Sequence, residues 1–293
     1  MPPKPARTLA LALGAVLAAA ALAGCGGGAD SGPEEMALTV TRDFGATSVV
    51  ELTGERIPPP PGLSRILQRY PQQRARASLF LNGILADEPP SEVRVHGGDR
   101  VWLDQHGPTV APAIGAVVGS FPEPFLHGAG GKRLPVRVEC DDPRSGPCAA
   151  VAEKLVALGV VAGRSALSRS AADDTLRVLV GPWKRLRGND FEADRVDAGP
   201  RESGVFARFD ASAERLDVLD VSGRPVRTLG AGTGLVAALA LPERRPVWFV
   251  TGTDAAGVQA AARAFDESVL ADRFALAISD DLPVAVPLPR RQG

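Results

Sequence analysis

Three histidines, three cysteines and a single tyrosine stand among 293 residues, and Lys4, Lys132, Lys154 and Lys184 are the only lysines. With so few imidazoles, and none in an HxH or HExxH spacing, His96, His106 and His127 do not form a zinc or general-base motif. Lys plus Arg total 33 against 34 Asp plus Glu. That leaves no basic excess to neutralise phosphates, and nucleic acid is not an expected partner. Only one apolar run approaches spanning length, from Leu9 to Leu22. At about 14 residues it is short for a hydrocarbon core of about 30 Å.

That run follows Lys4 and Arg7 and ends in small residues, the pattern of a secretory signal peptide. Its last residues, Leu22-Ala23-Gly24-Cys25, resemble the lipobox of bacterial lipoproteins. The resemblance implies removal of residues 1–24, diacylglyceryl attachment to the Cys25 sulfur, and a location on the extracytoplasmic face of the cell membrane. Residues 25–35 are rich in Gly, Asp, Ser, Pro and Glu and read as a flexible tether. The excess of Arg over Lys, with much Ala, Gly and Pro, suggests a GC-rich genome.

Of the remaining cysteines, Cys140 and Cys148 enclose the turn-rich stretch Asp141-Asp142-Pro143-Arg144-Ser145-Gly146-Pro147. In an exported chain that pair reads as a disulfide. The alternative, a metal site, would need further ligands, and neither His nor another Cys lies in the loop.

From Met36 two β-rich runs flank Asp43-Phe44-Gly45-Ala46, which predicts a hairpin. A helix follows with Leu63, Ile66, Leu67 and Tyr70 at helical spacing, stopped near Pro71. Asn82-Gly83 between apolar runs is a type I′ hairpin signal. Around Gly97-Gly98-Asp99, alternation predicts two strands with Val93, Val95, Val101 and Leu103 facing inward and Arg94, Arg100, Trp102 and Asp104 facing outward.

The stretches LFLNGILADE and VHGGDRVWLD resemble the transcobalamin C-terminal-like domain, DUF4430. Over residues 36–106 the resemblance implies an N-terminal β-grasp domain. Cobalamin binding is not carried over, because the chain has no room for the large helical domain that encloses cobalamin in animal relatives.

Residues 107–131 read as a Pro/Gly-rich linker with one strand, Ile114 to Val118. Residues 132–286 read as a mixed α/β domain, and residues 287–293 as a tail. Within this second domain a helix is expected from Pro147 to Leu158, stopped by Gly159. Another follows the Thr251-Gly252-Thr253-Asp254 turn, capped by Asp254 or Thr253. The stretch RFALAIS is expected to be the last strand. The fold class expected for the whole is α+β. Its organisation is similar to that of actinobacterial DUF4430 lipoproteins, in stretches such as VVGSFPEPFLHG and LRVLVGPW.

Catalytic signatures are weak throughout. Gly230, Gly232 and Gly234 lack the third glycine and long helix of a dinucleotide fingerprint, so they read as a loop between strands. Ser165, in GRSAL, lacks the second glycine of a nucleophile elbow. The pairs Asp141-Asp142, Asp173-Asp174 and Asp280-Asp281 sit at element ends, where carboxylates cap or face solvent. Trp102 and Trp183 are expected either to bury between the domains or to line a cleft with Arg185 or Arg187. No cofactor or metal is expected. The reading is a membrane-anchored extracytoplasmic lipoprotein that binds a small molecule or an envelope protein. The alternative is a cell-envelope hydrolase with a dispersed active site.

Overall fold

The computed structural model describes residues 35–56, 62–69, 77–128, 130–168, 174–242 and 244–288. The expected signal segment, Cys25 and the expected tether before Glu35 lie outside the described residues, as do Tyr70, Pro71, Asp173 and residues 289–293. By its contacts the chain divides into Met1–Gly32 and Pro33–Gly293, and every described residue belongs to the second unit.

The N-terminal sheet starts with the hairpin of β1 (Glu35–Arg42) and β2 (Thr47–Arg56). Asp43, Phe44 and Gly45 all take positive φ in its turn, where one oxygen of the buried Asp104 accepts from Phe44 N at 3.1 Å and the other from Gly45 N at 2.9 Å. A short helix α1 (Gly62–Leu67) follows. It ends before Tyr70 and buries Leu63 and Leu67 on the sheet. Asn82 and Gly83 take φ of 53° and 76°, joining β3 (Ala77–Leu81) to the two-residue β4 (Ile84–Leu85). Both left-handed angles are those of a type I′ turn. The last strand is β5 (Arg100–Gln105), and the sheet order is β2-β1-β5-β3-β4, with β1 and β5 parallel.

Two expected strands are absent. The residues around Val93 and Val95 are irregular chain, although both side chains pack on the core beside Val101 and Leu103. Ile114 to Val118 forms no strand, only an isolated bridge between Ala116 and Ile84. This chain is extended and apolar, but its hydrogen bonds go to loops, such as Leu85 N to Gly115 O at 2.9 Å and Val117 N to Gly83 O at 2.9 Å.

The second sheet has seven strands in the order β15-β14-β12-β13-β8-β6-β7. Its parallel block is β6 (Val136–Cys140), β7 (Ala162–Ala166), β8 (Leu176–Pro182) and β13 (Val247–Gly252). The antiparallel part is β12 (Gly234–Leu239), β14 (Ala275–Ser279) and β15 (Leu282–Val286). Strand β15 lies beyond the expected last strand. Asp280 and Asp281 make its turn, with φ of 52° and 57°.

Helix α2 (Gly146–Ala157) carries Pro147 in its first turn and ends at Leu158 and Gly159, the latter at φ 80°. On the opposite side of the disulfide loop, Cys140 and Cys148 are bonded, 6.1 Å apart at Cα. Cys140 ends β6, Cys148 lies in the first turn of α2, and both are fully buried. Replacing both by Ser should lower stability by about 2–3 kcal/mol, since the bridge constrains a short loop of the unfolded chain. Equal urea midpoints for the wild type and this variant would contradict that expectation.

Short helices α3 (Trp183–Leu186), α4 (Phe191–Asp197) and α5 (Pro200–Ser203) lead to an antiparallel three-stranded meander. Its strands are β9 (Ala207–Phe209), β10 (Leu216–Leu219) and β11 (Pro225–Leu229). Helix α6 (Ala255–Ala264) is capped by Asp254, whose Oδ1 accepts from Gly257 N at 2.9 Å. The short α7 (Glu267–Leu270) precedes β14.

The class is α+β, with the expected mixture of sheets and helices. One face of the seven-stranded sheet buries Val138, Val178, Trp248 and Val250 with α2 and α6. The other buries Leu179, Leu235 and Phe249 with the meander, and that same cluster includes Phe80 and Trp102 of the N-terminal sheet. Trp102 therefore does point away from Val101 and Leu103, but into a second core rather than into solvent. Phe274 meets it edge-on at 5.1 Å and Phe80 at 5.5 Å.

Candidate functional site

Arg177 enters β8 one residue from its start, with its side chain only 4% exposed. Its Nε and Nη2 donate to the two oxygens of Glu139 on β6 at 3.1 and 2.9 Å. Nη2 also reaches Asp190 Oδ2 at 2.7 Å and Ser168 O at 3.1 Å, while Nη1 reaches Glu192 Oε2 at 3.3 Å. Asp190 is shared between two tasks. Its other oxygen caps α4 by accepting from Glu192 N and Ala193 N at 3.0 and 3.1 Å.

Three buried carboxylates thus surround one buried guanidinium. Arg137 approaches Glu139 at 3.8 Å, and Arg244 approaches Glu192 at 3.0 Å, both from the surface. Burial first, then the charge of Asp190, pushes the Glu192 carboxyl above its ordinary value despite Arg177 and Arg244. Hydrogen bonds to Glu139 and the charge of Asp190 hold Arg177 protonated against its own desolvation.

Arg244 carries this network to the surface. It lies over the Phe191 ring at 5.2 Å and lines a cleft of about 500 Å³ where the two sheets and residues 107–131 meet. The apolar wall is Ile84, Leu85 and Leu241. The rim is Asp87, Asp174, Arg244 and Arg245. Arg245 approaches Asp174 at 3.7 Å, and Asp174 is 69% exposed, so that pair is open to water. Gly115 brings the backbone against Ala240. A Cβ built on it would lie 2.1 Å from the Ala240 carbonyl oxygen, so the cleft is closed from behind by main chain. Such a concavity, part apolar and rimmed by both signs of charge, suits an amphipathic or dipolar small molecule.

The residues singled out in the sequence are dispersed. His96 Nδ1 lies 3.6 Å from Asp99, and His127 Nδ1 lies 2.5 Å from the buried Glu123. His106 Nε2 is 3.0 Å from Ser78 Oγ, and its ring stacks on Phe44 at 4.4 Å, so this Ser–His pair closes the end of a sheet. Ser165 pairs across from Glu139 in the β6–β7 ladder, and no imidazole is bonded to it. Among the described residues no group of three or more His, Cys, Asp or Glu side chains is placed to hold a metal ion.

Gly230 and Gly232 lie in the turn between β11 and β12, with Gly234 the first residue of β12; Asp254 Oδ2 accepts from Gly232 N at 2.8 Å. Asp141 bonds Arg185 at 2.9 Å, and Asp142 caps a turn through Arg144 N at 2.9 Å. Trp183 is buried inside the second core, stacked on Phe209 at 4.8 Å with Nε1 donating to Asp197. Arg187 binds Asp197 at 2.7 Å, so neither Trp lines a cleft with Arg185 or Arg187. Sequence reading missed Arg177, Glu139, Asp190, Glu192, Arg244 and Arg245. The available signal was Arg177 in a strand whose other residues are apolar, and Glu139 two residues after Arg137 in β6.

No protein-family model matches the chain, and no curated protein matches it in sequence.

Proposed function

We propose that the protein is an extracytoplasmic lipoprotein, held to the cell membrane by acyl chains on Cys25, that binds a small amphipathic or dipolar ligand in the cleft rimmed by Arg244 and Arg245. The observation that carries the anchor is the Leu22-Ala23-Gly24-Cys25 motif behind a basic and apolar segment and ahead of a polar tether. Acyl chains contribute about 0.8 kcal/mol per buried CH₂, so two of them make a lasting anchor. In this reading the N-terminal sheet is a β-grasp domain of the DUF4430 type. The strand order, with a parallel central pair between two hairpins and α1 on one face, supports that assignment. Among the described residues no helix is long and apolar enough to cross a membrane.

A binding role is favoured by the cations and carboxylates that the described residues bring to the rim of an apolar-walled cleft. Replacing Cys25 by Ser should move the protein from the membrane fraction to the medium, or leave it unprocessed. Continued palmitate labelling of a membrane-bound Cys25→Ser protein would overturn the anchor. Native mass spectrometry of the secreted chain should show a mass excess that is lost on denaturation and reduced by Arg245→Glu. A bare mass for the wild type would remove the case for tight ligand capture.

A further inference from the structure

Half of the large exposed apolar side chains among the described residues fall at one corner of the fold. Val161 is 89% exposed, Val156 57% and Leu158 37%, where α2 ends and β7 begins; the other three, Val49, Phe191 and Leu282, are separate. Exposed Lys132 and Arg133 adjoin this corner, and Arg133 Nη2 donates to Gly159 O at 2.7 Å. The guanidinium thereby sits at the negative end of α2, on the residue that follows Leu158. Glu153, the exposed acid on the same helix, lies about one turn back from Val156.

The corner is linked by contacts to the point where the tether joins the fold. Gly98 N donates to Glu35 O at 2.8 Å, and Ala37 N to Asp99 O at 2.9 Å. Asn82 Nδ2 bonds both Asp99 Oδ1 and Gly128 O, at 2.7 and 3.1 Å. Gly128 is pressed on the next turn so closely that a Cβ there would lie 1.9 Å from Lys132 O. Residue 133 then reaches Gly159. The stretch between Cys25 and Glu35 spans at most about 35 Å when fully extended. A protein anchored through Cys25 therefore keeps its fold near the bilayer, which an exposed apolar and basic corner can meet.

We propose that Val156, Leu158 and Val161, with Lys132 and Arg133, form a docking surface for the anionic lipid headgroup layer of the membrane. The apolar side chains insert at the headgroup boundary and the two cations meet lipid phosphate, which sets the orientation of the cleft relative to the membrane. The inference rests on the anchored reading for its geometry. The test does not, because it uses protein without the anchor.

The unit Pro33–Gly293 contains all three apolar cores of the described structure and is the material for that test. It is mixed with vesicles of phosphatidylcholine alone, or of phosphatidylcholine with phosphatidylglycerol, and sedimented. Co-sedimentation with the anionic vesicles, weakened by salt, is expected. The double variant Val156→Asp, Val161→Asp should bind about tenfold less, since two exposed valines lose their transfer to lipid and two like charges are added. Lys132→Glu should cost about fivefold or more, at roughly 1 kcal/mol per basic residue near the surface. Neither substitution removes a buried group, and circular dichroism checks that each variant is folded. Absence of binding by the wild type, or equal binding by the double variant, overturns the proposal. So does a dimer abolished by Val156→Asp, Val161→Asp, which would assign the corner to a second copy of the chain. Anchor failure is read separately, from the fate of Cys25→Ser in cells.

Discussion

Arg177→Met is expected to cost about 3–5 kcal/mol at neutral pH, because it leaves buried carboxylates without their common partner. Glu139 would keep only the Ser168 backbone N–H at 3.3 Å and the distant Arg137, and Asp190 would keep only the α4 backbone amides. The loss should depend on pH in an unusual sense. Glu192 already has a raised carboxyl in the native protein, because burial and the neighbouring Asp190 disfavour its charge. A group whose folded pKa is raised contributes stability that is complete below its unfolded pKa and is lost as pH rises through the folded one. Arg177 is one of the charges that hold the Glu192 carboxyl down, so removing it should raise that carboxyl further. The variant should therefore be closest to wild type in acid and fall away as pH rises through and above the ordinary carboxylate range. Urea unfolding at about pH 4.5 and about pH 8 measures this, the lower value lying near the unperturbed Glu. An equal deficit at both would mean that water reaches the carboxylates once the guanidinium is gone. Glu192→Gln in the otherwise native chain isolates the same effect. It should flatten the decline on the alkaline side while keeping a side chain that can bond Arg177 and Arg244.

That cluster was hidden in the sequence for a physical reason. Glu139 and Arg177 are 38 residues apart and are brought together by a parallel strand pairing that no local pattern specifies. Strands β8, β12 and β13 are buried on both faces and lack polar–apolar alternation, while the alternation of β6 reads as Arg137 and Glu139 facing solvent. Elements written in local chemistry were legible. Asn82-Gly83 tolerates the left-handed angles of its turn, Pro147 and Gly159 bracket α2, Asp254 caps α6, and Cys140 meets Cys148. Elements decided by their neighbours were not. Ala162–Ala166 is a short edge strand made of small and polar residues, and Ile114 to Val118 looks like a strand but spends its hydrogen bonds on loops. The Asp280-Asp281 pair is exposed at an element end, as read, but nothing local marked its two left-handed residues as the turn into β15. Of the two alternatives for Trp102 and Trp183, burial is the one found, and the cleft is rimmed instead by Arg244 and Arg245 just before β13, which no local pattern marked.

Trp102→Ala should be the most disruptive single change in the N-terminal sheet, at about 3–5 kcal/mol for deletion of a fully buried large aromatic. The side chain fills the space between Phe80 at 5.7 Å and Phe274 at 5.1 Å, and its Nε1 donates to Thr41 Oγ1 at 2.7 Å. Thr41 in turn donates to the buried Asp104 at 2.5 Å, whose carboxylate also holds the β1–β2 turn. One substitution therefore opens a cavity against β14 and removes the donor that orients Thr41, which itself donates to a buried charge. Because Trp102 shares a core with Leu179, Phe249 and Phe274, the loss should be felt by both sheets. Hydrogen exchange is the discriminating measurement. Amides of β1 and β5 and those of β12 and β13 should lose protection together in Trp102→Ala. Loss confined to the N-terminal strands would mean that the aromatic contact is adhesive but not cooperative, and that each sheet supports itself.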